Sequence, residues 1–102
     1  GFKKKNLNEC LFATGGKNET LNSLNVRKTG SAALDMSYVG AGRYDGYFQK
    51  NLNIWDIAAG IIIVNEAGGK INDINYSSNE VIKILAGSNS IYDKMIENLN
   101  NF

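Results

Sequence analysis

Trp55-Asp56-Ile57-Ala58-Ala59-Gly60-Ile61-Ile62-Ile63-Val64 runs directly into Asn65-Glu66-Ala67-Gly68-Gly69, and the architecture of the chain turns on what this stretch is. Ile57, Ile61 and Val64 recur at helical spacing, which predicts a helix over residues 55–67 stopped by Gly68-Gly69. Ala58, Ala59 and Gly60 leave a second side nearly bare, so another element can approach it closely. Ile62 and Ile63 make the helix apolar almost all round, and such a helix should be covered on both sides. One acid, Asp56, stands at the mouth of this segment. A carboxylate there is either a helix cap or a ligand for something that an active site holds.

Upstream, Thr29-Gly30-Ser31 opens a second helix. A Thr or Ser at that point can cap free amides; Ala32, Ala33, Leu34, Met36 and Val39 supply an apolar face, and Gly40 and Gly42 can end it. Asp35 is expected as a solvated position on this helix, and Arg43 and Asp45 as structural or ion-paired residues. Alternating or apolar runs predict strands over residues 9–14, 24–28, 44–48, 70–76 and 81–86, with 17–23 and 51–53 as connections. A last helix, capped by Ser88 or Ser90, carries the stripe Ile91, Met95, Leu99 and Phe102. Strands and helices alternate, which favours an α/β fold with a layered sheet over a helical bundle.

The bulk properties narrow the function. A chain of 102 residues forms one modest domain, and no linker divides it. The formal net charge of +1 excludes a broad electrostatic footprint for nucleic acid, and the short Lys3-Lys4-Lys5 run reads as a solvated face. Histidine is absent, so no Ser-His-Asp or Cys-His arrangement and no His-containing zinc site can be built. Cys10 is the lone cysteine; its flanks suggest a small buried core residue, and the lack of any internal disulfide fits a reducing compartment. No apolar run approaches the ~20 residues needed to span a bilayer.

Thr29-Gly30-Ser31-Ala32-Ala33-Leu34-Asp35-Met36, Tyr38-Val39-Gly40-Ala41-Gly42-Arg43, Asp45-Gly46-Tyr47-Phe48 and the stretch from Trp55-Asp56 to Gly69 form an ordered set. In order and spacing this set resembles the inositol monophosphatase family, its bacterial SuhB-like members in particular. The resemblance is good over residues 9–71 and looser beyond. It implies an α/β fold with a layered mixed β-sheet flanked by helices, residues 1–102 being the C-terminal domain of the inositol monophosphatase/fructose-bisphosphatase-like fold. It also implies a Mg²⁺-dependent phosphate monoester hydrolase acting on myo-inositol monophosphate or a related sugar or polyol phosphate. Asp56 matches a catalytic metal ligand of the family. Gly30, Ser31 and Ala32 match the segment lining the substrate pocket. Gln49 sits where many members carry a glutamate that binds substrate hydroxyls, and a neutral amide there leaves the substrate open.

The resemblance also defines what is missing. The family's other metal ligands lie in an N-terminal half, partly on an Asp-Pro-x-Asp-Gly-Thr-like stretch, and this chain contains no proline. One carboxylate cannot hold two or three Mg²⁺ ions, so the expectation is a C-terminal part that is inactive alone and partnered by the N-terminal half of the same enzyme. Between Gly16 and Val26 the family carries roughly 20 residues more, on the ordinary length of such connections and helices. The family further implies a cytoplasmic homodimer acting on a small phosphate monoester, with no membrane association and no direct nucleic-acid binding. Two alternatives stand beside it: a non-catalytic regulatory protein in transcription or RNA processing, and a phosphatase of the same superfamily with another substrate.

Overall fold

The structure, a computed structural model, describes residues 6–15 and 25–99. The Lys3-Lys4-Lys5 run, the 17–23 connection and Phe102 lie outside the described residues. Five strands, β1 (Leu11–Ala13), β2 (Asn25–Arg27), β3 (Gly46–Asn53), β4 (Lys70–Ile71) and β5 (Glu80–Gly87), form one sheet in the order β2-β1-β3-β5-β4. β1 runs parallel to β2 and β3, whereas β5 runs antiparallel to β3 and β4, so the sheet is mixed. Three helices, α1 (Ala32–Gly40), α2 (Ile54–Glu66) and α3 (Tyr92–Asn98), complete the layered α/β fold expected from the sequence.

Successive side chains of a strand point to opposite faces, and here each face feeds its own core. Tyr47, Ile84 and Ala86 pack with Met36 of α1 and with Ile57 and Val64 of α2. Their strand neighbours Phe48 and Leu85 pack instead with Phe12 and with Met95 of α3. Cys10 joins this second core as a buried thiol donating to the Asn6 carbonyl at 3.3 Å, in keeping with its expected structural role. The α3 stripe of Ile91, Met95 and Leu99 is buried as its spacing predicts.

The bare side of α2 is where α1 crosses it. A Cβ at Gly60 would lie 2.7 Å from the Met36 Cβ, and one at Gly40 would lie 2.6 Å from the Ile63 Cγ2. One glycine from each helix therefore sets how closely α1 and α2 approach. The described residues cover α2 on one side only: Ile62 is 59% exposed and Ile63 38%, because α1 and the sheet occupy one side of the helix.

Other departures have local causes. Residues 51–53, expected as a connection, belong to β3, which keeps its register with β5 from Gly46↔Gly87 to Asn53↔Glu80. Asn51 adopts φ 58°, a left-handed conformation that asparagine tolerates better than most residues. Across this point both strands exchange faces: Leu52 and Val81 join Tyr47 and Ile84 in one core although their parity differs. The predicted strand over 70–76 ends at Ile71: the Asn72 amide still donates to the Leu85 carbonyl at 3.2 Å, but the return bonds go to its side chain. Its Oδ1 accepts from the Leu85 amide at 2.7 Å and its Nδ2 donates to the Lys83 carbonyl at 3.1 Å. Neither Ser88 nor Ser90 caps α3 through its side chain. The N-cap is Ile91, and the turn is closed by the Ile91 and Tyr92 amides donating to the Ser88 carbonyl.

A candidate active-site cavity between two helix N-termini

The first turns of α1 and α2, the middle of β3 and the end of β1 converge on a cavity of about 550 Å³. All five site residues expected from the sequence, Gly30, Ser31, Ala32, Gln49 and Asp56, line it. Residues 31 and 56 are far apart in the chain, so their meeting is a product of the α1–α2 crossing. The sequence reading missed Trp55 and Leu52 as lining residues. Trp55 is 77% exposed, and a large aromatic left at the rim of a cleft is the signal that could have found it.

Each wall has a local origin. Gly30 takes φ 86° with nothing near a would-be Cβ, so glycine is needed there for its backbone and not for space. Around it Thr29 builds a tight turn, its hydroxyl accepting from the Ser31 amide and donating to the Ser31 carbonyl, both at 3.1 Å. Ser31 is the N-cap of α1, its Oγ accepting from the Leu34 amide at 3.2 Å. The Ser31 hydroxyl hydrogen and the first amides of the helix stay available to a ligand.

The first turn of α2 answers the question that Asp56 posed. Its N-cap is Asn53, whose Oδ1 accepts from the Trp55 amide at 2.9 Å. Asp56 is exposed and makes no hydrogen bond among the described residues, so the plain-cap reading loses its motive. Its carboxylate stands at the positive end of a 13-residue helix, where the macrodipole favours the anion. A hard, unengaged carboxylate oxygen at a cleft fits one Mg²⁺ ligand and no more. Among the described residues no three His, Cys, Asp or Glu side chains gather as a metal site.

Behind the cavity lies a polar group that the sequence reading misplaced. Asp35, expected in solvent, is fully buried, and among the described residues neither carboxylate oxygen has a partner in strict hydrogen-bond geometry. It sits one turn into α1 on the side packed against the sheet, beside Met36. Burial pushes its carboxyl above the ordinary aspartate value of 3.8, and the nearby Thr29 hydroxyl and amide offset this only in part. Tyr47, also fully buried, donates its hydroxyl to the Gln49 Oε1. Burial first, then the Asp35 and Asp56 carboxylates, raise the Tyr47 phenol well above its usual range. Asp45 is structural as expected, its Oδ2 accepting from the Leu11 amide at 2.9 Å, and Arg43 stacks over the Tyr38 ring at 5.4 Å.

Residues 3–101 match the family model described as the inositol monophosphatase family. The inositol-1-monophosphatase of Caulobacter vibrioides is 35% identical, with 94% of this chain and 44% of that protein covered. That match runs over 114 positions, whereas 94% of 102 residues is about 96, so about 18 positions of the relative have no counterpart here. Their number is similar to the shortfall that the resemblance implies, and the match gives no position for them. The Nus factor SuhB of Escherichia coli is 45% identical over 75 residues, covering 72% of this chain and 28% of that protein. Among solved structures, the extragenic suppressor protein SuhB of Bartonella henselae superposes with a TM-score of 0.79 at 35% identity, over 98% of this chain and 45% of that one. The chain thus spans less than half the length of these relatives.

Proposed function

Since this chain belongs to the inositol monophosphatase family, we propose that it is the C-terminal part of a Mg²⁺-dependent phosphate monoesterase acting on myo-inositol monophosphate or a related sugar or polyol phosphate. The observation that carries this reading is the convergence of Gly30, Ser31, Ala32, Gln49 and Asp56 on one cavity between two helix N-termini. Helix N-termini favour anions, and a phosphate ester is one. In this reading Asp56 is one ligand of the magnesium, the remaining ligands coming from the N-terminal half of the enzyme packed against this domain. When bound, the metal would polarise the phosphoryl oxygens and lower the pKa of the attacking water.

The residues of this chain then bind and orient. The Ser31 hydroxyl and the first α1 amides hold the polar edge of the substrate, Gln49 contacts its sugar or polyol part, and Trp55 and Leu52 shield the cleft from water. In this reading the enzyme is a cytoplasmic homodimer, as the resemblance implies. A buried Cys10 with a free thiol suits a reducing compartment.

The expected result is phosphate release from myo-inositol 1-phosphate by the enzyme containing this chain, abolished by chelation and restored by Mg²⁺. A second reading, a regulatory protein without catalysis, is favoured by the similarity to proteins named Nus factor SuhB. A purified, folded enzyme that releases no phosphate from any monoester with Mg²⁺ would support that reading and overturn the first.

A further inference from the structure

We propose that Asp35 is a positioning residue: buried behind the cavity, it holds the Thr29-Gly30-Ser31 turn from the core side and so sets how tightly the site binds its phosphate ester. The inference rests on the phosphatase reading above and adds to it a residue on which the pocket depends although it does not line it.

The turn has little else to hold it. Gly30 is at φ 86°, and among the described residues nothing lies within 4 Å of a would-be Cβ, so packing does not fix it from that side. The bonds of the Thr29 hydroxyl are local and reach only Ser31, two residues on. Ser31 nevertheless has to be placed well, because its hydroxyl and the first amides of α1 are the donors that this wall offers to a ligand. Asp35 provides an anchor from within the helix. It is the fourth residue of α1, and its amide donates to the Ser31 carbonyl at 2.9 Å. Its carboxyl reaches back past the N-cap, where the Thr29 hydroxyl and amide are the donors that face it. A contact between this helical position and the residues before the cap fixes the angle at which the chain enters the helix, as an apolar pair does in a hydrophobic staple. Here the pair is polar.

Two observations set this role apart from that of an ordinary core residue. Asp35 is fully buried, yet among the described residues neither carboxylate oxygen reaches strict hydrogen-bond geometry, so the side chain costs the fold stability. Attraction between a carboxylate and N–H or O–H dipoles survives imperfect geometry in a dry interior, where charges are poorly screened. Nor does the charge help an ester directly. An anion behind the helix N-terminus repels a phosphate bound in front of it. A benefit to binding therefore comes through the turn, and that fixes the sign of the effect.

Steady-state kinetics on myo-inositol 1-phosphate with Mg²⁺ test this in the enzyme containing this chain, with thermal unfolding to show that each variant is folded. Asp35→Ala removes both acceptor oxygens. It should raise KM by about tenfold, the size of one hydrogen bond to a charged group, while kcat changes by less than about twofold. Asp35→Asn keeps one acceptor oxygen and should raise KM by less. Thr29→Val should raise KM as well, and Thr29→Ser, which restores the hydroxyl, should restore it. The double variant Asp35→Ala with Thr29→Val should bind no worse than the poorer single one, since both cut the same link. A merely structural Asp35 leaves KM unchanged, and a purely electrostatic one lowers KM when its charge is removed. Either result, or a double variant whose KM multiplies the two single effects, overturns the proposal while the phosphatase reading stands. If Asp35→Ala does not fold, the same cycle is read with Asp35→Asn. A wild type that releases no phosphate overturns the reading and the inference together.

Discussion

Replacing Asp56 by Asn in the enzyme that contains this chain is expected to lower phosphatase activity by about a hundredfold or more, the scale of losing one preorganised electrostatic contact at a charged transition state. Asn keeps the size of the side chain and one carbonyl oxygen but removes the anionic charge. The fold should hardly notice. Asn53 caps α2 and Asp56 has no hydrogen bond to lose among the described residues, so its favourable interaction with the helix N-terminus is what is forfeited, about 0.3–1 kcal/mol. Steady-state rates at saturating Mg²⁺, together with thermal unfolding in metal-free buffer, separate the two roles. A variant that unfolds earlier but turns over normally would make Asp56 a structural residue.

The second large effect is expected at Asp35. Its buried carboxylate is met only in part by the nearby Thr29 hydroxyl and amide, and leaving a buried polar group incompletely met costs about 1–3 kcal/mol, more for a charged one. Asp35→Asn is therefore expected to stabilise the protein at neutral pH by about 1–3 kcal/mol. The pH dependence has a definite sign. Burial raises the folded-state pKa above 3.8, so the native state binds the proton more tightly than the unfolded chain does. Stability linked to this group is greatest below 3.8 and falls as pH rises from there through the raised value, after which the penalty is constant. Denaturant midpoints of wild type and variant should converge toward acid and part toward neutrality. A variant less stable than wild type at pH 7 would show that Asp35 has a partner whose loss outweighs the relief of its charge.

What the sequence made legible follows from what periodicity and motif can encode. Ile57, Ile61 and Val64 announce α2, the bare side at Gly60 announces a close approach by some other element, and the Ile91, Met95 and Leu99 stripe announces α3, because burial of one helix face leaves a repeat in the chain. The residues lining the cavity were reachable because Thr29 to Gly69 carries the family's ordered motifs. Features that depend on a single partner elsewhere in the fold left no such trace. Asn72 ends β4 by bonding across to Lys83 and Leu85, and Asn51 takes a left-handed conformation inside β3, yet the alternation runs a strand straight through the first and the second reads as a connection. Asp35 read as solvated since an acid on a short helix usually is; only the packing of α1 on the sheet buries it. Tyr47 reads in the sequence as one aromatic of a strand, and only the fold brings its hydroxyl to Gln49.

The central claim is that Asp56 is a metal ligand at a phosphate-binding cavity. Crystals of the enzyme grown with Mn²⁺ in place of Mg²⁺, and measured for anomalous scattering at the manganese edge, test it most directly. The account predicts a peak at about 2 Å from a carboxylate oxygen of Asp56, on the side facing Ser31 and Gln49. An active, manganese-loaded enzyme whose anomalous peaks all lie beyond the reach of Asp56 would contradict it.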